Sequence, residues 1–94
     1  DVIAVRDGKS YLIDCKVCSR GRFPFSRIED NQHTAMRAWQ ESGNGTGWFA
    51  LKCEGYIFML DYDTLKRLSK TQSSISFRDM CFYGRVLEAW VVFA

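Results

Sequence analysis

The chain has 94 residues, 47% hydrophobic and 15% aromatic, with 13 basic and 11 acidic side chains for a formal net charge of +2. That length admits one small domain, residues 1–94, without a second core, and the composition excludes a disordered chain. A charge so near balance gives no case for nucleic-acid binding by itself, so any electrostatic case must come from where the basic residues cluster.

The first element predicted is a hairpin. Asp7-Gly8 separates the runs Val2 to Arg6 and Lys9 to Ile13, and Asp-Gly between alternating apolar residues specifies a two-residue β-hairpin loop. Counting outward from the turn, Arg6 faces Lys9, Val5 faces Ser10, Ala4 faces Tyr11, Ile3 faces Leu12, Val2 faces Ile13 and Asp1 faces Asp14. Carboxylates directly across a ladder have Cβ atoms about 4.5–5.5 Å apart. At an effective dielectric of about 20, two unit charges about 5 Å apart repel by roughly 3 kcal/mol, which calls for a cation or a shared proton. Lys16 projects from the same face, two residues beyond Asp14. Oxygen ligands beside an ammonium suit Mg²⁺ or Mn²⁺ and attack on a phosphodiester. Both strands are apolar on both faces, with Ile3, Val5 and Leu12 on the acidic side and Val2, Ala4, Tyr11 and Ile13 opposite. That pattern predicts a central sheet covered by helices on both sides.

Ser19-Arg20-Gly21-Arg22 then reads as a basic loop, and Pro24 keeps Phe23 extended. Lys16, Arg20, Arg22, Arg27 and Arg37 collect around this segment, which suits backbone phosphates rather than base edges. Ser26 with Glu29 predicts a capped helix from Arg27 to Ser42, stopping at Gly43. Its apolar stripe is Ile28, Ala35, Met36 and Trp39; Gln32 lies within the stripe, toward the sheet, and His33 one step off it, toward solvent. After the connection Gly43 to Gly47, the runs Trp48 to Cys53 and Tyr56 to Asp61 flank Glu54-Gly55 as a second hairpin. Their aromatics Trp48, Phe49, Tyr56 and Phe58 read as strand packing rather than a stacking platform. Asp63 is placed to cap a short helix over Thr64 to Leu68, followed by a polar loop from Lys70 to Ser74. Ser76 with Asp79 predicts a capped turn ending near Gly84, and Arg85 to Phe93 fits strand or helix equally by periodicity.

The four cysteines lack a second C-x-x-C pair to partner Cys15 and Cys18, so free structural thiols in a reducing, cytoplasmic setting are expected rather than zinc. The longest apolar run, Ala89 to Ala94, is too short to span a bilayer, and no membrane association is expected.

An acid opening one strand and the acid-x-Lys triplet Asp14-Cys15-Lys16 on the next resemble the PD-(D/E)XK nuclease superfamily. Phe23-Pro24-Phe25-Ser26-Arg27-Ile28, running into Asn31-Gln32, resembles the RecU-type and archaeal Holliday-junction resolvases, so the likeness covers residues 1 to 68. It implies an α/β restriction-endonuclease-like fold, a mixed β-sheet flanked by helices, and Mg²⁺- or Mn²⁺-dependent cutting of branched DNA. By that likeness Asp1 and Asp14 hold the metal, with the Cys15 carbonyl as a further ligand. Lys16 assists the attacking water and the developing charge, Gln32 orients Lys16 or that water, and Arg20, Arg22 and Arg27 hold the DNA. Those families carry an upstream helix with another acid, so the chain is expected to be a piece of a longer protein lacking that N-terminal helix. A homodimer fits the same picture. The competing expectation is a non-catalytic nucleic-acid-binding or assembly module with an incomplete metal site.

Overall fold

A computed structural model of the chain describes residues 2–93, of the last of these only the backbone. Strands β1 (Val2–Arg6) and β2 (Lys9–Val17) form the expected hairpin in the expected register, Val2 opposite Ile13 through Arg6 opposite Lys9. Asp7 and Gly8 both take the left-handed conformation, φ 51° and 78°, which the mirror-image two-residue turn requires at both central positions. The pairing of Asp1 with Asp14 lies outside the described residues. At Ser19 to Arg22 the chain reverses through Arg20 and Gly21, φ 55° and 66°, with the Arg22 N–H donating to the Ser19 carbonyl at 3.1 Å. It continues as β3 (Arg22–Pro24), extended as the proline requires, and a 3₁₀ turn (Phe25–Arg27).

Helix α1 (Asp30–Trp39) starts later than expected. Ile28 is extended, φ −83° and ψ 109°, and buried, so the backbone leaves helical geometry to seat that side chain before the helix begins. Ser26 falls inside the 3₁₀ turn, and Glu29 is the N-cap, its N–H donating to Gln32 Oε1 at 2.9 Å. The C-terminal end widens into a π-turn (Gln40–Asn44) that closes where Gly43 turns left-handed. Gly47, just before β4, answers a close approach: a Cβ there would lie 2.1 Å from Met36 Sδ of α1.

Strand β4 (Trp48–Cys53) runs parallel to β2, which makes α1 the crossover of a β-α-β unit. It pairs antiparallel with β5 (Tyr56–Asp61) across Glu54-Gly55, the second predicted hairpin. Asp61, rather than Asp63, caps α2 (Tyr62–Leu68), its carboxylate accepting the Thr64 N–H at 3.0 Å. The polar segment after α2 ends in β6 (Ser74–Ser76), paired with β3 as a small second sheet. Ser76 and Asp79 cap α3 (Phe77–Tyr83) as expected, and the helix stops at Gly84. The final stretch is both things its periodicity allowed, a two-residue strand β7 (Arg85–Val86) beside β5 and then α4 (Leu87–Phe93).

The main sheet therefore has the order β1-β2-β4-β5-β7 with parallel and antiparallel pairs. This is a mixed α/β architecture. Leu12, Phe49, Leu51, Phe58 and Leu60 face the main core, closed by Phe23 and Ile75 of the small sheet, Met36 of α1, Leu65 of α2 and Met80 of α3. Tyr11, Ala50 and Met59 face the other way and meet Trp90 of α4. The expectation that both opening strands are covered on two sides holds for β2 and fails for β1. Neither hydrophobic cluster includes a β1 residue, and Val2, Ile3 and Val5 are 51, 63 and 69% exposed, because β1 is an edge strand beyond the reach of the helices. No helix among the described residues is long and apolar enough to cross a membrane.

Candidate functional site

Alternation along β2 puts Leu12, Asp14 and Lys16 on the main-core face. Asp14 is registered with Phe49 and Lys16 with Leu51, both central residues of β4, and this position takes the carboxylate out of water. Asp14 is 3% exposed. Its Oδ1 lies 3.7 Å from Lys16 Nζ, while its Oδ2 is buried with no hydrogen-bond partner. A buried carboxylate oxygen left unmatched costs about 1–3 kcal/mol or more when charged, so the site holds a standing demand for a donor or a cation at that atom. Lys16 offsets the charge and leaves the second oxygen unsatisfied.

Cys15 is exposed, on the face away from Asp14, so its thiol takes no part; its backbone lies in the ladder opposite Ala50. Gln32 takes a capping role at the start of its own helix. Its side-chain oxygen accepts the Glu29 N–H at 2.9 Å, which engages the oxygen and not the amide nitrogen. Asp1 lies outside the described residues. Among the described residues no three His, Cys, Asp or Glu side chains gather as a metal-binding group.

The three arginines expected to hold DNA come together. With Ser19 and Pro24, Arg20, Arg22 and Arg27 line an open depression of about 620 Å³. Arg27 ties this depression to the end of β2, because its Nη1 donates to the Val17 carbonyl at 2.5 Å while its guanidinium lies 5.3 Å from the Phe23 ring centre. Arg20 sits at the tip of the left-handed turn and is exposed. Arg22 is anchored by a 2.6 Å hydrogen bond from Nη1 to Ser74 Oγ across the small sheet. Its charge also helps hold the Asp79 carboxyl below the ordinary range, an effect due first to the Ser76 backbone N–H.

Two further groups were misplaced or unresolved by sequence. His33 is half-buried rather than solvent-facing, with Nδ1 2.6 Å from Tyr62 Oη. The inward stripe of α1 centres on Met36, three residues on, so His33 falls on its flank. Cys18 lies beside Cys53 at the end of β2, and burial, then the neighbouring Cys53, pushes its thiol up to about 12. Such a thiol holds almost no thiolate at neutral pH in the metal-free chain.

Set beside models of known protein families, the sequence matches none, and no curated protein matches it.

Proposed function

We propose that the chain is the core of a metal-dependent endonuclease that hydrolyses DNA phosphodiesters, with branched DNA such as a Holliday junction as its substrate. The observation that carries this reading is the buried Asp14 with one oxygen paired to Lys16 and the other unmatched, three residues before Val17, whose carbonyl accepts from Arg27 of the arginine-lined depression. A carboxylate oxygen suits a hard cation such as Mg²⁺ or Mn²⁺, which binds one or two protein carboxylates and keeps its other positions for water and substrate phosphate. Asp14 would hold the ion together with Asp1 and the Cys15 carbonyl, and the ion would lower the pKa of a bound water and polarise the phosphoryl oxygen. Lys16 places its ammonium where charge builds on the phosphate. Arg20 and Arg27 offset backbone charge without reading bases, and Arg22, fixed by Ser74, positions the turn. The preference for branched DNA rests on the likeness of Phe23 to Gln32 to junction resolvases, and a homodimer would present two such sites to the two strands cut.

A second reading is a nucleic-acid-binding or assembly module without catalysis, in which the arginine-lined depression holds backbone phosphates. Cleavage of a labelled four-way junction in Mg²⁺ and Mn²⁺ separates the two. Asp14→Asn is expected to lower the rate at least about a thousandfold with junction binding retained, and Lys16→Ala to lower it about a hundredfold, typical losses for groups acting on the transition state. Arg20→Ala is expected to weaken binding and flatten its salt dependence. Equal cutting by the Asp14→Asn variant removes the catalytic assignment. Binding without cutting in either metal, by the parent chain and by a longer form that carries an upstream acid, selects the second reading.

A further inference from the structure

Strand β1 lies at one edge of the main sheet, with β2 as its only neighbour among the described strands. Its outward side is an unused row of backbone donors and acceptors. In a two-residue hairpin the residues flanking the turn exchange both hydrogen bonds, and inward- and outward-facing residues then alternate along the strand. Arg6, paired with Lys9, bonds inward, and so do Ala4 and Val2. Ile3 and Val5 keep N–H and C=O groups directed away from the sheet. Their side chains are uncovered too. Ile3 and Val5 rise from the face that carries Leu12 and Val2 from the other, yet all three are exposed and neither hydrophobic cluster takes up any of them. Sheet edges are ordinarily guarded by an inward-pointing charge, a proline, a bulge or a covering segment. β1 has none of these: its ladder with β2 is unbroken over five pairs, and its one charged residue, Arg6, stands at the end.

We infer that β1 pairs antiparallel with β1 of a second copy of this chain, about a dyad through Ala4. Self-complementarity selects this occupant. Hydrogen bonds form only where outward-facing residues meet, and centring the pair on Ala4 sets Ile3 opposite Val5 of the second copy and Val5 opposite its Ile3, which satisfies every outward group of both residues. Any other register leaves one of the two without a partner inside the strand. On one face the β-branched Ile3 and Val5 close against each other twice, a favourable cross-strand pair. On the other face the two Ala4 side chains meet at the dyad, where a pair without mutual hydrogen bonds brings Cα atoms to about 4.5 Å and suits a small residue. Arg6, already 3.8 Å from Asp7, comes opposite Val2 of the second copy, so no like charges face one another. The other edge of the sheet, β7, is only two residues long. Pairing through β1 therefore closes at two copies. The added ladder is small, in the class of interfaces under about 1,200 Å² that hold weakly, so dilution returns the single chain with β1 exposed. The dyad is perpendicular to the sheet and leaves both Asp14 carboxylates on one face of the joined sheet, roughly 25 Å apart at strand spacings of about 4.8 Å and a rise of about 3.4 Å per residue. That placement bears on the cleavage reading, but the pairing does not rest on it.

Sedimentation equilibrium of the chain from about 10 μM to about 1 mM, in EDTA and without DNA, is expected to show the mass rising toward that of two copies, the span over which a weak complex forms. Amide exchange of the labelled chain at both ends of that range reads the edge itself. The Ile3 and Val5 amides are expected to slow several-fold at the higher concentration. Ile3→Lys, at an exposed position, puts a charge on the new ladder and is expected to raise the dissociation constant about tenfold or more. Phe82→Ser is the comparison, because Phe82 of α3 is the most exposed large apolar side chain of the described residues. It is expected to leave the dimer intact. A single-chain mass throughout, a dimer whose Ile3 and Val5 amides stay unprotected, a dimer lost with Phe82→Ser and kept with Ile3→Lys, or growth beyond two copies overturns the inference. With neither metal nor DNA present, each of these outcomes leaves the cleavage proposal untouched.

Discussion

The two hairpins of the main sheet share their turn and differ in nearly everything else. Asp7-Gly8 and Glu54-Gly55 have the same left-handed pair of residues, φ 51° and 78° against 52° and 81°, and both fix a two-residue loop. In the β4–β5 hairpin, Phe49, Leu51, Met59 and Leu60 are all but inaccessible, whereas β1 leaves Val2, Ile3 and Val5 in solvent. Turn chemistry thus sets register, and place in the sheet sets burial. The strength of a hairpin follows the second. An edge strand with exposed β-branched residues is held by its ladder and little else.

The sharpest way to break this comparison is to truncate equivalent apolar residues. Leu51→Ala is expected to cost about 3 kcal/mol in denaturant unfolding, by lost transfer and an unfilled cavity, against under about 0.5 kcal/mol for the exposed Val5→Ala. Similar costs at the two positions would show that β1 is covered in solution. A smaller effect sharpens it. Nothing lies within 4 Å of a Cβ added at Gly8 or Gly55, so alanine at either introduces only left-handed strain of about 1–2 kcal/mol. Gly55→Ala is expected to show that cost in global stability. Gly8→Ala is expected to show it as faster amide exchange in β1 with a smaller global loss, because an edge strand opens locally. Equal global losses would mean that β1 unfolds only with the rest.

The smallest expected effect concerns the cover of the central hairpin. Helix α3 contributes Met80 to the core that contains Phe58 and Leu60 of β5, and its N-terminus depends on the Ser76 and Asp79 box. Asp79→Ala is expected to cost about 1 kcal/mol at neutral pH. The Ser76 backbone N–H, ahead of the other contributors, lowers the Asp79 pKa from its ordinary value of 3.8. The stabilisation is therefore complete above that value and is lost as pH falls through the folded-state pKa. Parent and variant should converge in stability on acidification, and a constant gap across that range would assign the loss to packing instead.

Much of this architecture was written in short-range chemistry. Asp7-Gly8, Glu54-Gly55, Pro24 and the Ser76 and Asp79 box each act within a few residues, and each sits where the sequence placed it. Signals that compete locally were harder to read. Ser26 and Glu29 had helix-start spacing, but burial of Ile28 moved the start to Asp30, and Asp61 displaced Asp63 as a cap because helical backbone begins at Tyr62. The exposure of β1 and the position of His33 depend on which elements lie overhead. At the site, the shared face of Asp14 and Lys16 followed from strand alternation, and the arginine cluster from proximity along the chain. The engagement of Gln32 did not, because its helix starts elsewhere.

The parallel seam between β2 and β4 also dictates an order of assembly. Each hairpin closes over two residues and can form in about 1–10 μs, whereas the seam must wait for the whole crossover from Val17 to Trp48 to find its place. Asp14 lies on that seam, opposite Phe49. Its carboxylate therefore stays hydrated until this non-local pairing forms. The desolvation of Asp14 is thus deferred until the second hairpin has docked against the first.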